Sequence, residues 1–344
     1  MDEYFRTNKI SPNANRTMIW KSVVMISAYV LPFAAMIIFH PHFLVTMLCW
    51  VLMGIAMAGL GMSVMHDALH GAYSTNKRIN FMMGSVINMI GGSIFNWKLQ
   101  HNILHHTYTN VYEMDDDIDE KVILRFTEHS APKKVHKFQW WYAFIFYGIT
   151  TLYWLFAKDF LQYHKYKKNG VNNQSKEKNR IVLAKIILMK LAYFAFFIAL
   201  PLLTGMPVLH WLAGFLLMHF VCGIILTVTF QLAHTVEGTT HPLPDEKGMI
   251  QQDWAIHQME STVNFAPHNK VLSWYVGGLN FQVEHHLFPR ISHVHYPNIA
   301  PIVKATAEEF GVPYQVNPTI GGAIQSHIRL LKQLGHMPSL DELG

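Results

Sequence analysis

Four long apolar runs decide what this chain can fold into; they lie at about 17–39, 43–65, 181–203 and 207–232. Each reaches the ~20 residues that an α-helix needs to cross the hydrocarbon of a bilayer. In lipid, only helices and closed barrels satisfy their own backbone polar groups. Charged residues make up 14% of the chain, against about 25% in an ordinary soluble domain, so polar surface is too scarce to cover these runs with water-facing side chains. The expected fold is therefore all-α and integral to a membrane, with residues 1–344 forming a single domain.

Charge and parity set the expected topology. The linker 158–180 carries seven basic residues, Lys158, Lys165, Lys167, Lys168, Lys176, Lys178 and Arg180, against Asp159 and Glu177. By the positive-inside rule it is cytoplasmic. The short connections 40–42 and 204–206 hold no Lys or Arg and read as external turns. Two further segments, the glycine-rich 79–95 and the aromatic-rich 138–157, are apolar but ambiguous, and parity keeps the second from being a span. The second, with Trp140, Trp141, Tyr142 and Trp154, reads as an interfacial helix. The result is four transmembrane helices in two hairpins, interfacial helices, and a cytoplasmic helical cap made of 66–180 and 233–344. Asp2 and Glu3 open a segment without a signal-peptide cleavage pattern, so the first span is expected to be retained.

Several function classes drop out at this point. Cys49 and Cys222 are the only cysteines and both lie in apolar runs, which excludes a disulfide framework, a thiolate zinc module and a cysteine-held iron–sulfur cluster. There is no Walker or dinucleotide glycine loop, so no bound flavin or nicotinamide is expected, and no basic, aromatic-interleaved patch for nucleic acid.

The 22 histidines are as numerous as all the acids together, and they cluster. His66 and His70 form HDALH at the end of the second run; His101, His105 and His106 form HNILHH; His285 and His286 close QVEHH; and His234 follows the fourth run in QLAH. Helical residues four apart point about 40° from each other, so His66/His70 and His101/His105 each present two imidazoles on one face. His106 points about 100° from His105 and closes the shell from the side or reaches a second metal. Every cluster falls at a cytoplasmic end of the topology drawn from charge alone. Eight imidazoles suit two metal ions with about four nitrogens each. Imidazole suits Zn, Cu, Fe or Ni, and the absence of Glu-x-x-His helix pairs sets the chain apart from carboxylate di-iron bundles. A pair of irons is the natural reading where a membrane-borne substrate needs a strong oxidant. A single HxxxH would be weak evidence; three clusters on one membrane face are not. His293 and His295 are the remaining histidines with the best claim to be ligands.

HDALH, NWKLQHNILHHTYTN (96–110) with MDDDI (114–118), and GLNFQVEHHLFPRI (278–291) resemble the membrane fatty-acid desaturases, and more closely their front-end subgroup, marked by Gln282 in place of a histidine. The resemblance runs from about 62 to 303. It implies an O2-dependent di-iron enzyme that inserts a cis double bond into a long fatty-acyl chain, with His66, His70, His101, His105, His106, His234, His285 and His286 as ligands to two iron ions. Many front-end members carry a fused cytochrome b-type haem domain with an HPGG motif, which this sequence lacks. Electrons are thus expected from a separate protein, a ferredoxin or a cytochrome b-type haem protein, and a bacterial inner membrane is favoured over the endoplasmic reticulum.

Around the ligands, Gln282 either holds a water near an iron or donates to a ligand histidine. Asp67, Asp115, Asp116 and Asp117 either accept the free N–H of ligand imidazoles or, for the 115–117 run, form a solvated loop. Trp97, Lys98 and Arg290 are candidates for the head group of the substrate, whose carrier is CoA, a lipid or a carrier protein. Two rival functions are a lipid hydroxylase on the same scaffold and a membrane metal-binding or transport protein. The transporter would want ionisable ligands along a pathway within the spans; here they hold only Lys21, Lys185, Lys190, His210 and His219, with no carboxylate.

Overall fold

The computed structural model describes residues 1–116, 118 and 123–338. Asp117, named above as a tautomer-fixing candidate, lies outside them. Among the described residues the fold is helical except for one short parallel pairing, Asn264–Phe265 with Val316–Asn317. Four helices are long and apolar enough to cross a membrane: Arg16–Phe39, Phe43–Leu69, Lys176–Leu203 and Val208–His234. These are the four runs read from the sequence. The second helix continues past residue 65 because a π-helical turn, Leu60–Met65, passes directly into His66–Leu69. HDALH therefore extends a span instead of following it.

The chain divides into two compact units. One consists of Ala14–Leu99 and Ile145–Thr227. Its helices approach closely where side chains are absent: a Cβ on Gly54 would lie 2.6 Å from the Met218 carbonyl oxygen, and one on Gly223 would lie 2.6 Å from that of Gly148. Small residues at such crossings let backbones pack where lipid supplies no hydrophobic drive between helices. The apolar stretch 79–95 is broken into Lys77–Gly84, Ile87–Ile90 and Ile94–Trp97, with Gly91 at φ +90° ending the middle piece. Lys190 explains how this break is held. Its ammonium meets the Asp159 carboxylate at 2.7 Å and donates to the carbonyls of Gly91 and Trp154. Asn96 and the Trp154 indole donate to the same carboxylate. A buried cation is tolerable when paired and fully hydrogen-bonded, so the span lysine has a local structural partner. Likewise His219 is bonded to Tyr193 Oη at 2.9 Å and to Thr151 Oγ1 at 3.1 Å.

Helix Gln139–Tyr153 runs through the π turn Trp154–Lys158 into Asp159–Lys168. Trp141, Ile145, Ile149, Tyr153 and Phe156 are exposed along it at helical spacing, which gives it an apolar outer face, as an interfacial helix needs.

The other unit comprises Met1–Asn13, Gln100–Phe144 and the described part of Val228–Gly344. The short helix Asp2–Thr7 buries Phe5 against Phe281, Ile291, Tyr296 and Ile299, and the Ser292 amide donates to the Pro12 carbonyl at 2.8 Å. The C-terminal helix Ile320–Leu334, capped by Thr319, is fastened by the buried Arg125, which donates to the carbonyls of Leu334 and Met337. His327 on that helix donates from Nδ1 to the Thr235 carbonyl at 2.6 Å, directly after the last residue of the fourth span.

Candidate metal centre

Six of the eight expected ligands belong to this second unit, on three pieces of chain. His101 and His105 share the π-helical turn Lys98–His105, where four-residue spacing stacks their rings 5.2 Å apart at 22°. His234 is the last residue of helix Val208–His234. His285 and His286 lie on the short helix Gln282–Leu287, whose six residues point successive side chains to different sides. The rings meet: His105 lies 4.8 Å from His234 and 4.9 Å from His286, and His106 lies 4.7 Å from His285 and 4.5 Å from His286, centre to centre.

Two triads result, His105/His234/His286 and His106/His285/His286. In each, one nitrogen per ring lies within 4.8 Å of the others, all three residues are buried, and His286 belongs to both. Burial, followed by the neighbouring imidazoles of His106, His105, His234 and His101, pushes the basicity of His286 well below the ordinary histidine range. Its ring is neutral at physiological pH and its lone pair is free to ligate.

The outer face of each ring is held by the chain. His105 Nδ1–H donates to Asp115 Oδ2 at 2.9 Å, and the Asn110 amide donates to the same oxygen at 3.0 Å. His286 Nδ1–H donates to Gln258 Oε1 at 2.7 Å, an oxygen that also accepts from Thr109 Oγ1. His285 Nδ1 is bonded to Tyr296 Oη at 3.2 Å. Asn110 takes a left-handed backbone, φ +57°, and its side-chain Nδ2 donates to the carbonyl of His234 at 2.9 Å. Behind the last box, the buried Glu284 accepts from Asn264 and Tyr314; burial raises its pKa.

The donor set fits a metal. With Nδ1 committed to Gln258, His286 Nε2 is fully buried and has no hydrogen-bond partner among the described residues. A buried nitrogen in that state costs on the order of 1–3 kcal/mol, and an ion between the rings removes the cost. This is the carboxylate- or amide-backed histidine that metal sites use to fix tautomer and orientation.

The other expected site residues fall as follows. In the first unit, His66 and His70 have rings 4.7 Å apart, and both lie edge-on to buried Trp97, at 5.8 and 5.7 Å. Trp97 thus packs on two imidazoles. Asp67 is buried and interacts electrostatically with Lys21. Lys98 and Arg290 are exposed, Asp116 is half-buried, and Gln282 is buried beside His234. His293 and His295 join neither triad; His295 Nε2 is bonded to the Asn13 carbonyl at 3.1 Å. Gln258, Thr109, Tyr296 and Asn264 went unrecognised in the sequence. Thr109 stands inside the quoted stretch 96–110 without being singled out there, and no motif or spacing marks the other three; only the fold brings them to the boxes.

Comparison with known proteins agrees with this geometry. Residues 41–318 match the fatty acid desaturase family. The chain is 33% identical over 339 residues to an sn-1 linoleoyl-lipid 6-desaturase of Arthrospira platensis, covering 98% of this chain and 91% of the relative. It is 35% identical over 337 residues to the protein of the same name from Synechocystis, covering 97% and 93%. With an acyl-lipid (8-3)-desaturase of Physcomitrium patens it shares 34% identity over 343 residues, 97% of this chain and 70% of that one. The four spans and the histidine site define a multi-pass membrane oxidoreductase. The chain belongs to the fatty acid desaturase family and is a membrane fatty-acyl desaturase.

Proposed function

We propose that this desaturase acts on an acyl chain esterified in a membrane glycerolipid and sets a cis double bond at position 6 of a linoleoyl chain at sn-1. The observation that carries this reading is near full-length similarity to two proteins of that printed specificity. A lipid-bound substrate needs no soluble carrier. The centre is proposed to hold two irons, with the seven box histidines and His234 as ligands; for His66 and His70 the support is their place in the first box. Electrons come from a separate ferredoxin or cytochrome b-type haem protein, and the site faces the cytoplasm of a bacterial membrane, as the basic linker 158–180 favours. Residues 1–344 act as one catalytic domain.

The bound irons would supply the O2-derived oxidising power needed to take hydrogen from an unactivated methylene. The chain's own residues do the rest. Asp115, Gln258 and Tyr296 hold His105, His286 and His285 in one orientation, so that a nitrogen of each faces inward. Burial of both triads keeps water away, and burial together with the neighbouring imidazoles keeps the His286 ring neutral. Gln282, buried beside His234, is placed to hold a water or donate to a ring.

The test is expression in a host without polyunsaturated lipids, fed linoleate, with the new double bond located in each lipid class and glycerol position. A 6,9,12-triene at sn-1 of glycerolipids is expected. A triene confined to the acyl-CoA pool would overturn the lipid-bound reading, and an alcohol without alkene would favour the hydroxylase.

A further inference from the structure

The short helix Trp254–Glu260 is hydrogen-bonded to both triads in its unit, to His286 and to the His106 backbone. Gln258 on its inner side is fully buried and holds His286, as described. Trp254, at its first turn, is 45% exposed, yet its indole N–H donates to the backbone carbonyl of His106 at 3.1 Å. One aromatic ring therefore connects the protein surface to a ligand histidine. A tryptophan kept only for packing would bury its large apolar area. Next to it, Gln251, Gln252 and Asp253 are exposed, as are Leu243 and Met249 earlier in the same loop. Segment 243–254 carries Asp245, Glu246 and Asp253 against Lys247, a net of 1 − 3 = −2. Anionic lipid surfaces attract basic segments, not acidic ones, so charge does not draw this face onto an anionic bilayer.

We propose that Trp254 is the electron-entry residue: the external iron-containing one-electron carrier docks over its exposed ring, and the electron passes through the indole N–H···O=C contact to His106 and the metal it holds. In each step the carrier is oxidised by one electron and the metal centre reduced by one. Two such steps serve one turnover, and no bond to carbon is made or broken in either. This rests on the desaturase reading, because only an externally reduced centre needs such an entry.

The experiment uses the full-length, iron-loaded protein in nanodiscs, with Trp254→Ala and Trp254→Phe variants. Anaerobic reduction of the oxidised centre is followed in stopped flow through the absorbance of a reduced [2Fe–2S] ferredoxin, and in parallel with dithionite, which needs no docking; iron per chain is measured throughout. Trp254→Ala is expected to keep its iron and its dithionite rate, and to lose at least roughly tenfold in the ferredoxin-driven rate, as loss of an interface aromatic does. Trp254→Phe keeps the ring without the N–H and falls between. An unchanged ferredoxin-driven rate in Trp254→Ala overturns the proposal, and so does a wild type that no protein carrier reduces. Equal slowing with both reductants, or iron loss in both variants, reduces Trp254 to a support for His106 and also overturns it. Loss of nanodisc retention by Trp254→Ala would make the residue a membrane anchor instead. A wild type that the carrier reduces but that forms no alkene would refute the desaturase reading and leave the entry route standing.

Discussion

The link most open to measurement is the Asp115 carboxylate behind His105. It is fully buried and accepts from His105 Nδ1–H at 2.9 Å and from the Asn110 amide at 3.0 Å. Asp115→Ala would leave two buried donors without their acceptor, at about 1–3 kcal/mol each, so about 2–6 kcal/mol of folding stability is at stake. Asp115→Asn is the cleaner perturbation: it keeps the volume and one acceptor oxygen but removes the charge that makes His105 a stronger ligand. Loss of such an outer partner typically costs 10–100-fold in metal affinity, or about 1.4–2.7 kcal/mol. The assay is a chelator titration of the iron-loaded protein, reading iron per chain, with Asp116→Asn alongside. Asp116 is half-buried, and a partly hydrated carboxylate should matter less. Release of iron from Asp115→Asn at a tenfold or lower chelator concentration is expected, with a small change in melting temperature. Wild-type chelator resistance together with wild-type turnover would refute the argument that this carboxylate tunes the ligand.

Further outcomes follow from other parts of the chain. His286 belongs to both triads, so His286→Ala should lose more metal per chain than His105→Ala, as measured by elemental analysis. Burial, opposed by its bond to Thr235, lowers the pKa of His327 from 6.5 to about 4. The unfolded chain then binds the extra proton between those values, so up to about 3 kcal/mol of stability is present above pH 6.5 and lost as pH falls towards 4; His327→Gln should flatten that part of a melting-temperature profile. Lys190→Met leaves the buried Asp159 carboxylate uncompensated and should cost about 3–5 kcal/mol. Adding Asp159→Asn should recover part of it, as read in a double-mutant cycle by thermal unfolding in detergent.

The parts of the fold legible in the sequence are those set by local periodicity. Four apolar runs announced four spans, and i, i+4 histidines announced imidazoles sharing a face. The ends of the spans were less legible. A π-helical turn carries the second helix through His66 to Leu69, and the fourth ends on His234 itself; both extensions follow from backbone bonding that hydropathy does not record. The segment 79–95 read as apolar and ambiguous, because a left-handed Gly91 and a lysine ninety-nine residues later in the chain determine its break. The acidic run after the second box was recognisable as a set, yet residue type does not separate Asp115, bonded to His105, from half-buried Asp116. Gln258 and Tyr296 carried no signal at all. An amide or a phenol becomes the partner of an imidazole through tertiary placement alone.

That placement gives the two triads unlike surroundings, although both are built from histidine. In one, His105 is backed by a carboxylate; in the other, His285 is backed by a phenol, while the shared His286 is backed by an amide oxygen. An anionic partner makes an imidazole a stronger donor than a neutral one does, so equal ligand types do not make equal positions. The sequence names the atoms that can bind metal. Which nitrogen faces inward, and how strongly it donates, is decided by residues far away in the chain whose only qualification is where the helices leave them.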